Sequence, residues 1–149
     1  MRLFHFKLLP YLPDTQLIGQ WRELNSIFKN KPKHILINYV YKSPKEDLME
    51  YWIRLDHELR ERNITTRANN SSLYFGEEGG KIFSRLCVLR GNSAGYGYNP
   101  FPNHHTNRYL LQCFYNLQEK YDCGQKDFSK ERYEKLCEFI KREIKNVKL

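Results

Sequence analysis

A chain of 149 residues is the size of one ordinary domain, long enough to bury about two thirds of its unfolded surface, so one domain over 1–149 is expected to fold without disulfide or metal. With 40% hydrophobic residues the composition is globular, and no apolar run is long enough to span a bilayer. The net charge of +8 is concentrated at two poles: residues 1–42 hold seven Lys or Arg against Asp14 and Glu23 alone, and the piece from Lys126 holds eight against five. That asymmetry either suits an anionic partner such as nucleic acid or serves solubility.

The opening MRLFHFKLLPYLPD lacks a small-residue cleavage site and is interrupted by His5, Lys7 and two prolines, so it is not read as a signal peptide. Pro10 and Pro13 remove backbone donors and disfavour helix before them, which predicts an extended arm over residues 3–13, lying across the core. Asp14 or Thr15 can cap the helix that begins after the arm. In QLIGQWRELNSIF, Leu17, Trp21, Leu24 and Phe28 recur at helical spacing and define a buried face. At 100° per residue Glu23 falls in a side stripe with Gln16, Gln20 and Ile27, where a carboxylate is partly desolvated and suited to acid or base work. Arg22 and Glu23 also fit a plain solvated helix pair.

After the breaker Asn30-Lys31-Pro32, KHILINYVY reads as a buried strand or an extended connector. Ser43-Pro44-Lys45-Glu46 is a helix start, with Ser43 as N-cap, Pro44 at the first helical position and Glu46 completing a capping box. Leu48, Trp52, Leu55 and Leu59 mark that helix's inward face, and Asn63 suits its left-handed end. From Ile64 to Pro100 the pattern dissolves into Asn, Ser and Gly clusters around SLYF and KIFSRLCVL, which predicts a hairpin or an ordered lid. Tyr96 and Tyr98, in the glycine-rich loop after those runs, either stack on a base or pack.

Helical spacing returns over 106–120 through Tyr109, Leu110, Cys113, Phe114 and Leu117. A last helix from about Ser129 turns Tyr133, Leu136, Cys137, Ile140, Ile144 and Val147 inward. The expected fold is mainly α: three to four helices around one core, an extended N-terminal arm and an irregular central insertion with room for a β-hairpin. Cys87, Cys113, Cys123 and Cys137 form no CxxC pair and read as buried reduced thiols of a cytoplasmic protein. His104, His105 and Cys113 lack a second liganding pair at usual spacing, so no metal site is expected.

The arm followed by D-x-x-L-x-x-x-x-R-E-L, then Lys33-His34 and Tyr39-Val40, resembles the pyrimidine-dimer DNA glycosylase and abasic-site lyase family, the phage endonuclease V-like proteins, over the first sixty or so residues. The resemblance implies action on damaged bases, pyrimidine dimers among them, in double-stranded DNA, by a monomer needing no metal or cofactor. It also implies that the α-amine of Met1 is the nucleophile and Glu23 the acid/base that stabilises the cationic sugar. Arg22 would bind phosphate beside the lesion, with Arg2, Lys33 and His34 as further DNA contacts. Such a family uses a chain terminus because α-amines titrate near 8 and lysines near 10.4, leaving far more neutral amine at physiological pH.

Two departures bear on this. Met1 precedes Arg2 rather than a small residue, so Met1 is expected to stay; either its own amine reacts, on an arm one residue longer, or the terminal chemistry is lost. Ser26 stands where the phage enzyme has another arginine, which makes DNA binding a firmer expectation than dimer recognition. The alternatives are a non-catalytic nucleic-acid-binding domain of the same fold and a small-molecule or protein-interaction module built on the Tyr96–Tyr98 loop. What discriminates them is whether the Met1 amine and Glu23 come within reach of one another.

Overall fold

Leu17, Trp21, Leu24 and Phe28 do share the buried face of a long helix, α1 (Asp14–Asn30), in a computed structural model that describes residues 1–67, 69–91 and 97–145. Tyr96 and Val147 lie outside the described residues. Behind α1 come α2 (Tyr39–Lys42), α3 (Lys45–Glu61), α4 (Ser71–Phe75), α5 (Gly79–Arg90), α6 (Asn107–Asp122) and α7 (Lys130–Glu143). Short 3-10 segments occupy Phe6–Tyr11 and Gly76–Glu78.

Among the described residues there is no strand, so the expected hairpin is corrected: SLYF lies in α4 and KIFSRLCVL in α5. The physical reason is visible in α5, where Ile82 and Leu86, four apart, are buried while Phe83, Val88 and Leu89 face solvent. An apolar run that serves both faces of a helix carries no readable period. The expected three or four helices become seven among the described residues, because α2 and α4 are single turns and α5 hides its helical period. The arm is extended only up to His5; residues 6–11 coil into 3-10 with Pro10 inside, and His5 Nδ1 caps the segment by accepting from the Lys7 amide.

Two expected caps also differ. Pro13, not Asp14 or Thr15, precedes α1, and the free amide of Thr15 is taken up by Asp127 Oδ2 at 2.7 Å, a cap delivered from the loop after α6. Ser43 turns its hydroxyl back to the Tyr39 carbonyl at 2.8 Å, and Glu46 pairs with Arg85, so no capping box forms at α3. Asn63 does take the left-handed conformation, φ 56°, and the Ile64 amide closes on the Leu59 carbonyl. Thr106 and Ser129 cap α6 and α7 by accepting from the amides of Tyr109 and Arg132.

One continuous apolar cluster runs from Leu3 to Ile140 and draws on the arm, α1, α3, α6 and α7. Along α3 the acids Glu46, Asp47 and Glu50 are buried beside it. They bind Arg85, the Tyr98 hydroxyl, and Arg54 with Arg90, respectively, which fastens α5 and the residues around Tyr98 to α3. The four cysteines are free; Cys113 is buried and Cys137 half-buried, but Cys87 and Cys123 are exposed, against the expectation of burial. No described helix is long and apolar enough to cross a membrane.

Candidate active site

Four side chains hold the backbone of residues 2–6. From α1, the Gln20 side chain accepts from the Phe4 amide at 2.9 Å and donates to the Arg2 carbonyl at 3.0 Å. The fully buried Tyr51 hydroxyl of α3 meets the Phe4 carbonyl at 3.0 Å and Gln20 Oε1 at 2.9 Å. Tyr109 of α6 donates to the Leu3 carbonyl at 2.5 Å.

The fourth anchor is His105. Its Nδ1 accepts from the Phe6 amide at 3.2 Å, so in the neutral ring the proton sits on Nε2, 2.8 Å from the Tyr39 hydroxyl. His5 follows the same logic: Nδ1 accepts from Lys7, leaving Nε2–H to donate to the His105 carbonyl at 2.9 Å. Burial pushes His5 down to about 4 and His105 well below the usual imidazole range, so both rings are neutral near pH 7. Neutral imidazoles can play these mixed donor and acceptor parts; imidazolium cannot.

The arm thus fixed delivers Met1 and Arg2 to a cavity of about 370 Å³ whose lining also includes Gln16, Gly19, Gln20, Glu23, Asn116 and Lys120. One wall is the side stripe of α1 expected from the helical angle; Ile27, the fourth member, turns fully into the core. Glu23 Oε2 is buried and has no hydrogen-bond partner among the described residues. A polar oxygen in that state costs about 1–3 kcal/mol, and such groups collect where a ligand supplies the missing donor.

Arg22 opens onto a different cavity, of about 500 Å³, lined by Ser26, Lys29 and Arg67 among others and by no acid. The two cavities are lined by neighbouring faces of α1, so Arg22 and Glu23, adjacent in sequence and 100° apart around the helix, serve separate spaces. Lys33 is exposed and lines neither cavity, and His34 is half-buried at its turn, where its Nδ1 accepts from the Leu36 amide. Of the expected site residues, Met1, Arg2 and Glu23 therefore come together, Arg22 lies next to them, and Lys33 and His34 stand at the periphery.

Asn116 and Lys120 are site residues that the sequence pattern does not single out. Both sit off the apolar positions of α6, four residues apart, and that spacing is the signal; only the fold ties their polar stripe to Met1. Tyr98 packs, with its hydroxyl on Asp47 and its carbonyl on Arg54. His104, His105 and Cys113 form no metal cluster, and no group of three or more His, Cys, Asp or Glu among the described residues could hold a metal ion.

The geometry of arm, α1 and cavity can be set beside known proteins. Residues 1–71 match the family model described as pyrimidine dimer DNA glycosylase. The matched segment contains the arm, Gln20, Arg22, Glu23, Lys33, His34 and Tyr51, in agreement with the resemblance read from the opening motifs. No curated protein and no solved structure matches the chain. Beyond the glycosylase-like segment lie His105 and Tyr109, which hold the arm, and Asn116 and Lys120, which close the cavity.

Proposed function

We propose that this protein is a DNA glycosylase with abasic-site lyase activity on duplex DNA carrying pyrimidine dimers or abasic sites, with the Met1 α-amine as nucleophile and Glu23 as acid/base. The observation that carries the reading is the shared cavity of Met1 and Glu23, together with the buried Glu23 oxygen that lacks a partner. In this scheme the neutral amine attacks C1′ of the damaged nucleotide, the C1′–N bond breaks, and the base departs with the bonding electrons and a proton. The sugar ring opens to a Schiff base on Met1. Removal of a C2′ proton then expels the 3′ phosphate and cuts the strand.

Glu23 faces the cationic sugar throughout and moves the protons of both steps. Arg2 and Lys120 place two cations at the rim of the cavity, and Arg22, Lys29 and Arg67 extend the positive surface along α1 for backbone phosphates. Lys33 and His34 would meet DNA further out. The reacting nucleotide must leave the stack to enter the cavity, at a cost of about a few kcal/mol that damage lowers. The reading treats the protein as a cytoplasmic monomer whose one domain carries every site residue.

The test is borohydride trapping on a duplex with one abasic site, comparing wild type, Glu23→Gln and an N-terminally blocked protein. Wild type is expected to give a covalent adduct that peptide mass spectrometry places on the Met1 amine, with blocking abolishing the adduct and Glu23→Gln abolishing strand scission. Salt-dependent binding without an adduct would instead make the protein a non-catalytic DNA-binding domain. An adduct on a lysine would remove Met1 from the mechanism.

A further inference from the structure

The turn between α1 and α2 presents a side chain that the proposed chemistry does not use. Ile35 is 85% exposed, whereas Ile37 is fully buried and Leu36 lines the Met1–Glu23 cavity. The turn is braced along its length. The His34 carbonyl accepts from the amides of Ile37 at 3.0 Å and Asn38 at 2.9 Å, and the Asn38 side chain accepts from the His34 amide at 2.8 Å. The Leu36 amide donates to His34 Nδ1, and the Tyr41 hydroxyl pins the Pro32 carbonyl at 2.7 Å.

Ile35 is therefore held outward by a fixed backbone, and its Cα lies about 3.8 Å from that of the cavity residue Leu36. Its β-branched side chain is stiff at χ1 and loses little freedom on insertion into a slot. Lys31 and Lys33 stand on one side of it, and no acid occurs between Glu23 and Glu46. A rigid apolar tip on a basic stretch of chain that carries no acid fits a polyanion with an apolar interior, which describes a base-stacked duplex.

We propose that Ile35 is a wedge that enters the base stack beside the nucleotide whose sugar occupies the Met1–Glu23 cavity, with Lys31 and Lys33 on the flanking phosphates. Branched aliphatic side chains inserted at a base step unstack it and kink the duplex, and here the wedge would fill the space left by the extruded nucleotide. The inference rests on the glycosylase reading for its place in the reaction, but not for its contact with DNA.

The experiment uses the full chain and a duplex carrying 2-aminopurine next to a single lesion, with Ile35→Ala and Ile35→Leu as variants. Because Ile35 is so exposed, both variants should keep wild-type stability in urea. Wild type and Ile35→Leu are expected to raise 2-aminopurine fluorescence on binding. Ile35→Ala should lose that rise and excise from the duplex about tenfold more slowly, while trapping a preformed abasic site in a single strand at the wild-type rate. Equal fluorescence for Ile35→Ala and wild type, or equal slowing on duplex and single strand, overturns the wedge. The fluorescence signal needs no chemistry, so an Ile35-dependent rise without any adduct defeats only the catalytic reading. An adduct without that rise defeats only the wedge, and a protein showing neither defeats both.

Discussion

Gln20→Met keeps the volume of a buried side chain and removes both hydrogen bonds by which α1 holds the arm. Gln20 is only 4% exposed and Phe4 5%, so the Phe4 amide loses the acceptor of a buried hydrogen bond. That orphaned donor costs about 1–3 kcal/mol, and losing the amide on the half-buried Arg2 carbonyl adds about 1 kcal/mol. Tyr51 keeps its bond to the Phe4 carbonyl, and methionine leaves no cavity, so the total is about 2–4 kcal/mol. Urea denaturation should show a lower midpoint with an unchanged slope, and hydrogen exchange at the Phe4 amide should accelerate. The adduct on Met1 should form more slowly, because the segment that carries the amine is less fixed. A variant within about 0.5 kcal/mol of wild type, with Phe4 still protected, would refute the view that this amide anchors the arm.

The Glu50 side chain has no exposed surface and binds both Arg54 and Arg90. Glu50→Gln is expected to cost about 3 kcal/mol in thermal or urea unfolding, while Glu131→Gln, in the exposed pair with Lys135, should change stability by less than about 0.5 kcal/mol. Acid should weaken the fold before the carboxylates titrate. His5 binds a proton near 6.5 when unfolded but only at about 4 when folded, so between those values the unfolded chain holds more protons. Stability is therefore full above about pH 6.5 and falls towards pH 4 by about 3 kcal/mol from His5, with buried His105 acting in the same direction. Urea midpoints measured from about pH 7.5 down to about pH 4.5 should decline over this window; a flat series contradicts burial of neutral imidazoles.

The parts of the fold that are legible in the sequence are those in which one helix face decides everything. Leu17, Trp21, Leu24 and Phe28 disclose α1, and the same angle places Gln16, Gln20 and Glu23 in the stripe that forms the cavity wall. Where a residue outside the motif does the deciding, local pattern misleads. Ser43 has the form of a cap but bonds Tyr39, and the amide capped at the start of α1 goes to Asp127, 112 residues away. In α5 Phe83, Val88 and Leu89 serve no core, so its period disappears, and Glu46 and Glu50 of α3 are buried because arginines from α3 itself and from α5 meet them. Asn116 and Lys120 can be recognised as polar but not as neighbours of Met1, since that proximity exists only once α6 is folded against the arm.

Anchoring the arm from so far along the chain also sets the order in which the molecule can be assembled. His5 and Leu3 wait for partners 100 and 106 residues later, at His105 and Tyr109. Closing a loop of that length costs more entropy than winding α1 or α3 locally, and during synthesis the partners emerge only after about two thirds of the chain. Until then Leu3, Phe4, Phe6 and Leu8 have no complete core to enter, and they are natural clients for a chaperone on the ribosome. A segment made early is thus seated late, and the cavity between Met1 and Glu23 closes only when it is.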